Sequence, residues 1–184
     1  MLPKMNFQKL IDSINNGLVY DIDGVRLVQL IDCFSNENLE TIESIYSTEP
    51  EHKNTQWTMN KKDWPFDIQQ DNEYYRSLLD AVNKKLNKNF DHYVGRVWQE
   101  ENNHYMDPHV DNDMVCGSMQ IYLPSTAGEN TGTIFFGNNV TLQFKFKPNT
   151  GYLCSDPTKI LHSTGLPVNF NEYRRSAYFI FRDV

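Results

Sequence analysis

The sequence has few cysteines and no long apolar run, and both absences limit its class. Its three cysteines show no spacing of a disulfide framework or a zinc ribbon; they are Cys33, Cys116 and Cys154. No stretch approaches the roughly 20 apolar residues of a transmembrane helix. The first residues also lack the apolar segment of a secretory signal. We therefore expect a soluble, cytoplasmic protein that has no membrane partner.

A basic stripe is missing as well. The 17 Lys and Arg residues face 24 Asp and Glu residues, which gives a formal net charge of −7. The densest lysine cluster, at Lys84, Lys85 and Lys88, falls on a predicted helix, where a solvated face is the simpler interpretation. The charge therefore disfavours a nucleic-acid partner. Nothing in the sequence indicates an oligomeric state.

The chain contains no repeat, low-complexity segment or Pro/Gly-rich linker, so we expect one domain over residues 1–184. Apolar residues at helical spacing predict three helices, over 5–16, 35–47 and 72–89. Ser35 is a suitable N-cap for the second of them. Between the first two helices, residues 18–31 predict a β-hairpin that turns at Asp23-Gly24.

From Phe90 onward the pattern changes to short strands separated by Gly, Pro and Asn. Leu142, Phe144 and Phe146 alternate with polar residues, which is the period of a half-buried strand. The predicted strands cover 92–99, 115–123, 133–136, 141–146, 151–154 and 173–181. Such a series favours a jelly roll or barrel. We therefore predict a mostly β fold with flanking helices, in which a helical or mixed part (1–90) packs on a jelly-roll catalytic core (91–184).

His109 and Asp111 are the first candidate metal ligands, because side chains two residues apart in an extended chain project to the same side. His162 lies 53 residues after His109. This distance leaves room for several intervening strands that could bring His162 back beside His109 and Asp111. Two imidazoles and one carboxylate form the facial triad of non-haem Fe(II) oxygenases. The His-x-Asp motif alone is weak, since about a quarter of such chains would contain one by chance. A structural role for His162, with His104 as a substitute ligand, stays open.

Metal binding requires neutral imidazoles and an ionised carboxylate, so it should weaken below about pH 6. Asn112 and Asp113 are near enough in sequence to orient the imidazoles. An EF-hand calcium loop starting at Asp111 is excluded, because Cys116 and Tyr122 stand where Gly and Glu are required.

Further motifs follow these ligands in a fixed order. They are Ile121-Tyr122-Leu123-Pro124, Thr131-Gly132-Thr133-Ile134-Phe135, Pro148-Asn149-Thr150-Gly151-Tyr152-Leu153, His162 and Arg174-Arg175-Ser176. Together with His109-Val110-Asp111, this series resembles the 2-oxoglutarate/Fe(II)-dependent dioxygenases, in particular their prolyl-4-hydroxylase-like branch. The resemblance covers residues 92–182, about half of the chain, and its specificity lies in the order and spacing of the motifs.

The resemblance implies a cupin-like double-stranded β-helix and a ferrous ion held by His109, Asp111 and His162. It also implies 2-oxoglutarate and O2 as cosubstrates, succinate and CO2 as products, and it allows ascorbate as a reductant. An Arg should bind the distal carboxylate of 2-oxoglutarate, because its planar fork donates two parallel hydrogen bonds. Strand alternation favours Arg174, assisted by Ser176, although a register slip of one residue would select Arg175.

Two aromatic residues stand where the resemblance is incomplete. Some members of the family bind 2-oxoglutarate with a Tyr on the strand before the first ligands, and Trp98 stands there in this chain. Tyr122 could supply the missing hydroxyl group, but core packing is the favoured interpretation of both residues. Candidates for lining a substrate cleft are Trp57, Met59, Trp64, Phe66, Trp98 and Tyr105, although tryptophans in a loop could equally pack in the core.

The resemblance implies hydroxylation of a peptide or protein side chain, or of a small metabolite. The alternative is a cupin-like metal-binding or interaction domain without oxygenase turnover, which would not need an Arg after the second His.

Overall fold

The computed structural model describes residues 5–55, 58–66 and 73–183. The helices are α1 (Gln8–Asn16), α2 (Asn36–Ile45) and α3 (Glu73–Leu86). The strands are β1 (Val19–Ile22), β2 (Val25–Ile31), β3 (His52–Thr55), β4 (Thr58–Pro65), β5 (His92–Glu101), β6 (Gly117–Leu123), β7 (Thr133–Phe136), β8 (Thr141–Phe144), β9 (Thr150–Cys154), β10 (Leu161–Thr164) and β11 (Tyr173–Arg182). None of the described helices is long and apolar enough to span a membrane.

The local signals in the first 50 residues are confirmed. The hydroxyl oxygen of Ser35 accepts a hydrogen bond from the Asn38 amide at 3.2 Å, as an N-cap should. The β1–β2 hairpin turns at Asp23 and Gly24, whose φ angles are 53° and 82°. A two-residue hairpin turn of this hand needs positive φ at both positions, which Asp-Gly tolerates. Helix α1 begins three residues later than the apolar spacing predicts.

The strands form two antiparallel sheets. The large sheet has eight strands in the order β1-β2-β9-β6-β11-β5-β4-β3. The small sheet has three strands in the order β10-β7-β8. The rings of Phe135 on β7 and Tyr152 on β9 meet edge to face at 5.0 Å, so the small sheet packs on the large one. This arrangement confirms the predicted jelly-roll core with flanking helices.

The large sheet has two faces of different character, because successive residues of a strand point to opposite sides. The helix face packs under α1, α2 and α3. Its fully buried residues include Val97, Ile121, Leu153, Phe179 and Phe181. The opposite face, which we call the pocket face, lies under the small sheet. It carries apolar residues such as Leu27 and Cys154, together with a set of buried polar side chains.

Strands β3 and β4, which add the far edge of the large sheet, were not predicted from the sequence. The segment of β4 lacks the alternating apolar pattern, because its pocket face carries Lys61 and Asp63. The prediction that Trp64 and Phe66 line a substrate cleft is wrong. Both side chains are buried in the core under the helices. Trp57 lies outside the described residues, and for Met59 only the backbone is described.

Candidate metal centre

The backbone brings the two predicted histidine ligands together directly. The amide of His109 donates to the carbonyl of His162 at 2.9 Å, and the amide of His162 donates back at 2.8 Å. This pair is an antiparallel bridge that adds residue 109 to the edge of the small sheet beside β10. Because the side chains of such a pair lie on the same side of the sheet, the two imidazoles face one another. Their ring centroids are 4.5 Å apart.

Asp111 completes the cluster. Its Oδ1 atom lies 3.7 Å from Nε2 of His109 and 3.5 Å from Nε2 of His162. One donor atom of each residue lies within 4.8 Å of the others, a spacing suited to a single metal ion. The three residues predicted as ligands are therefore collected at one point, and His162 closes the set from a separate strand.

The second nitrogen of each imidazole is held by the main chain. Nδ1 of His109 lies 2.7 Å from the carbonyl oxygen of Asp107, and Nδ1 of His162 lies 3.0 Å from that of Ile160. A carbonyl oxygen only accepts hydrogen bonds, so both Nδ1 atoms carry the proton. Both Nε2 atoms are then free to donate a lone pair to a metal. The orienting groups are thus backbone carbonyls, whereas the Asn112 side chain accepts from the Met114 amide.

The charge of Asp111 is stabilised by its neighbours. Burial alone would raise the pKa of this carboxyl group. Without a metal, the two imidazoles can also be protonated at Nε2 and donate to Asp111, and this interaction with His109 and His162 outweighs burial and holds the pKa of Asp111 well below its usual range. The hydrogen bond that His109 donates to Asp111 in that state raises the pKa of His109. Tyr178 donates its hydroxyl to Oδ2 of Asp111 at 3.2 Å. The donor set is therefore an ionised carboxylate with two imidazoles whose orientation is fixed, and this set fits ferrous iron.

A cavity opens beside the three ligands. Its wall consists mainly of side chains from the pocket face of the large sheet, and they are Trp98, Glu100, Gln120, Tyr152, Arg174 and Tyr178. The loop after β5 and the small sheet add Met106, Thr133, Ser163 and Thr164. Most of these groups can form hydrogen bonds, so the cavity suits a polar ligand.

Arg174 and Arg175 lie on opposite faces of β11. Arg174 is 2% exposed and lines the cavity. Its Nε atom lies 2.5 Å from Oε2 of Glu100, and its Nη1 donates to the carbonyl of Thr131. Arg175 instead packs on the ring of Tyr46 and pairs with Glu43 of α2. Arg174 alone of the two can reach a ligand held by the cluster.

The remaining predicted residues lie at varying distances from the cavity. Trp98 lines it, with its ring stacked 4.2 Å from that of Tyr178. Ser176 is fully buried and accepts from Gln120 at 2.9 Å. The hydroxyl of Tyr122 donates to Thr133 at 3.0 Å and to the Phe144 carbonyl at 3.2 Å. Among the described residues Ser176 and Tyr122 support the wall without lining it, and Tyr105 is 43% exposed and does not line the cavity.

Sequence reasoning overlooked Glu100, Gln120 and Tyr152 as wall residues. A usable signal existed for Glu100, since it lies two residues after Trp98 on the same strand and therefore on the same face. The same rule places Tyr178 on the face of Arg174, but its hydrogen bond to Asp111 depends on how distant segments of the chain pack together.

No family model matches the chain, and no curated protein matches it. Several solved structures are similar to the chain in fold. A prolyl-4-hydroxylase from Pseudomonas putida is 12% identical, with a TM-score of 0.62 over 97% of this chain and 100% of that one. A prolyl hydroxylase from Trichoplax adhaerens, in complex with a peptide fragment of the hypoxia inducible factor oxygen degradation domain, is 13% identical, with a TM-score of 0.66 over 95% of this chain and 88% of that one.

The third is HygX from Streptomyces hygroscopicus with nickel and 2-oxoglutarate bound, which is 8% identical, with a TM-score of 0.58 over 86% of this chain and 83% of that one. At these identities the likeness establishes the fold, which is the double-stranded β-helix of the 2-oxoglutarate oxygenases.

Proposed function

We propose that this chain is a non-haem Fe(II)- and 2-oxoglutarate-dependent oxygenase. The observation that carries the proposal is that one cavity contains both the His109–Asp111–His162 cluster and the guanidinium of Arg174. A metal-binding module has no need of a buried Arg beside its ligands. A dicarboxylate cosubstrate needs one group to meet its distal carboxylate. The proposed functional unit is one domain, because strands from both halves of the chain pair in the large sheet.

Each group has a distinct task in this proposal. When bound, iron, 2-oxoglutarate and O2 supply the oxidation, and 2-oxoglutarate leaves as succinate and CO2. His109, Asp111 and His162 would hold the metal on one side and leave its other positions to ligands. The Nδ1–H bonds keep both imidazoles in the correct tautomer. Arg174 would bind the distal carboxylate of 2-oxoglutarate and so fix its orientation.

For the prime substrate we favour a peptide or protein side chain, which would be hydroxylated, over a small metabolite. Support comes from the two prolyl hydroxylases of the same fold, one of them in complex with a peptide. Trp98, stacked on Tyr178 in the cavity wall, would contact the substrate or cosubstrate.

The direct test is succinate formation from 2-oxoglutarate by protein loaded with Fe(II) under anaerobic conditions and then exposed to O2. Wild-type protein should form succinate, and a chelator should stop it. His109→Ala should lower the rate by more than the roughly 10- to 100-fold that outer-shell changes cause. His92→Ala, a histidine outside the cluster, is the matched control and should leave the rate unchanged. Equal succinate formation by His109→Ala and wild type would refute the ligand assignment.

One observation favours the alternative of a metal-binding domain without turnover. Arg174 already forms a buried ion pair with Glu100, as a purely structural Arg would. The two functions differ in ligand binding. An oxygenase loaded with metal binds 2-oxoglutarate, whereas a metal-binding domain takes up the metal and shows no binding of 2-oxoglutarate.

A further inference from the structure

Lys61 carries a buried ammonium group that lies against an aromatic ring. It lies on β4 and is 7% exposed. Its Nζ atom stands 3.0 Å from the centroid of the Trp98 ring. Within the described ranges of the chain, the ammonium forms no hydrogen bond or ion pair. An ammonium buried in this way is costly unless it is paired, so its position points to a negatively charged neighbour or ligand.

Lys61 belongs to a row of three charged residues on adjacent strands. The register of β4 and β5 places Lys61 opposite Glu100, and the register of β5 and β11 places Glu100 opposite Arg174. Directly opposed residues point to the same face of a sheet, so the three side chains are neighbours on the pocket face. Trp98, under the ammonium, lines the same cavity as Glu100 and Arg174.

The ion pair of Glu100 with Arg174 creates a problem for carboxylate binding. Glu100 occupies the Nε–H of the guanidinium, and the Thr131 carbonyl takes one donor of Nη1. A carboxylate that binds the remaining donors would stand close to the carboxylate of Glu100. Two negative groups on one guanidinium, away from water, leave one charge uncompensated.

Lys61 removes this imbalance. Arg174 and Lys61 contribute two positive charges to the row and Glu100 one negative charge, so one positive charge remains. The other carboxylate on this face of β4, Asp63, already pairs with Arg96 at 3.1 Å. Burial lowers the pKa of Lys61 to about 8, although the negative charge of Glu100 opposes this shift. With a pKa of about 8, the ammonium stays mostly charged near neutral pH. The row is thus matched to one incoming carboxylate.

We propose that Lys61 is a positioning residue for the cosubstrate, whose charge balances Glu100 and frees Arg174 to bind the distal carboxylate of 2-oxoglutarate. The inference rests on the proposed oxygenase function. Lys61 acts through Glu100 and Arg174, and it requires no contact with the metal or with the atoms that react.

The test is calorimetric titration of protein loaded with Mn(II). This ion takes the place of Fe(II) in the cluster, so that the titration can be done in air. Two ligands are compared: 2-oxoglutarate, and 2-oxopentanoate, which lacks the distal carboxylate. Lys61→Met should raise the Kd for 2-oxoglutarate by about tenfold or more and leave that for 2-oxopentanoate within about twofold. Lys62→Met is the matched control, because Lys62 points to the other face and pairs with Glu101. It should leave both constants unchanged.

A double variant separates charge balance from packing. In Lys61→Met/Glu100→Gln one positive and one negative charge are lost together, so one positive charge remains for the ligand. Its affinity for 2-oxoglutarate should return to within about threefold of wild type, a coupling that independent sites do not show. Thermal unfolding verifies that each variant is folded.

The possible failures can be told apart. If Lys61→Met binds 2-oxoglutarate as tightly as wild type, weakens both ligands equally, or is not rescued by Glu100→Gln, the role of Lys61 is refuted. If wild-type protein binds Mn(II) but not 2-oxoglutarate, the proposed oxygenase function itself fails.

Discussion

The two faces of the large sheet consist of alternate residues of the same strands, yet they are stabilised in different ways. On β11 the helix face carries Ala177, Phe179 and Phe181, which bury apolar surface against the helices and one another. The pocket face of the same strand carries Arg174, Ser176 and Tyr178, each with a hydrogen bond to another side chain. Apolar packing is non-directional, whereas buried polar groups depend on a particular partner. A change on the helix face should therefore alter stability, and a change on the pocket face should alter ligand binding.

The largest expected effect is on the helix face. Phe179 is fully buried, and its ring meets those of Phe66 and Tyr93 at centroid distances of 5.8 and 6.1 Å. Phe179→Ala should lower the free energy of unfolding by about 3 to 5 kcal/mol, through lost burial and the cavity that remains. The folded fraction should keep its Mn(II) affinity, because the side chain points away from the cluster. Urea unfolding and metal titration measure the two quantities.

The control for this change is Phe179→Leu, which retains most of the volume and should cost less than Phe179→Ala. A Phe179→Ala protein that is as stable as wild type but binds metal poorly would show that the two faces are not separable in this way.

The adjacent arginines offer the sharpest comparison, because the same substitution can be made on each face. Arg174→Lys keeps the charge opposite Glu100 but loses the planar fork. It should raise the Kd for 2-oxoglutarate by about 10- to 100-fold, the equivalent of about one charge-assisted hydrogen bond. Arg175→Lys lies on the helix face beside Tyr46 and Glu43 and should change that Kd by less than about twofold. Calorimetric titration of the Mn(II)-loaded proteins measures both.

Equal losses of affinity in the two variants would mean that Arg174 has no special access to the ligand. A loss confined to Arg175→Lys would reverse the assignment and make the strand alternation misleading at this point.

The difference between the helix face and the pocket face also explains how much of the molecule could be predicted from the sequence. The hairpin at Asp23-Gly24, the N-cap Ser35 and most strands of the second half follow from local signals that tertiary packing does not overrule. The candidate ligands could be named because His109 and Asp111 are two residues apart and further motifs follow them in a fixed order. Only the return of His162 required assumptions about the fold.

The pocket face was less predictable, because its buried polar residues break the alternating apolar pattern that marks a strand. Strand β4 was not predicted for this reason, because Lys61 interrupts its apolar pattern. Glu100 resembled a surface residue, since only the register of β5 with β11 shows that it pairs with Arg174. For Tyr122 the sequence favoured core packing but left cosubstrate binding open. Its hydroxyl is bonded within the wall, to partners on other strands.

The smallest expected effect tests whether the pocket face also contributes to stability. Burial alone would raise the pKa of Glu100, but Arg174, His104 and Lys61 outweigh burial and hold the pKa well below its usual range. A carboxyl group with a depressed folded-state pKa contributes stability that is present above its unfolded pKa and is lost as the pH falls towards its folded pKa. Between pH 6 and pH 3 the unfolded chain binds a proton at Glu100 that the folded protein does not.

Wild-type protein should therefore lose about 2 kcal/mol more stability over this pH interval than Glu100→Gln, which has no proton to bind at this site. Urea unfolding at several pH values gives the two slopes. Glu100→Gln also leaves the buried Arg174 without its counter-ion and should be less stable at pH 6, so the decisive quantity is the difference in slope. Parallel slopes would mean that Glu100 gains no net stabilisation of its charge in the folded state. The pocket face would then serve ligand binding alone.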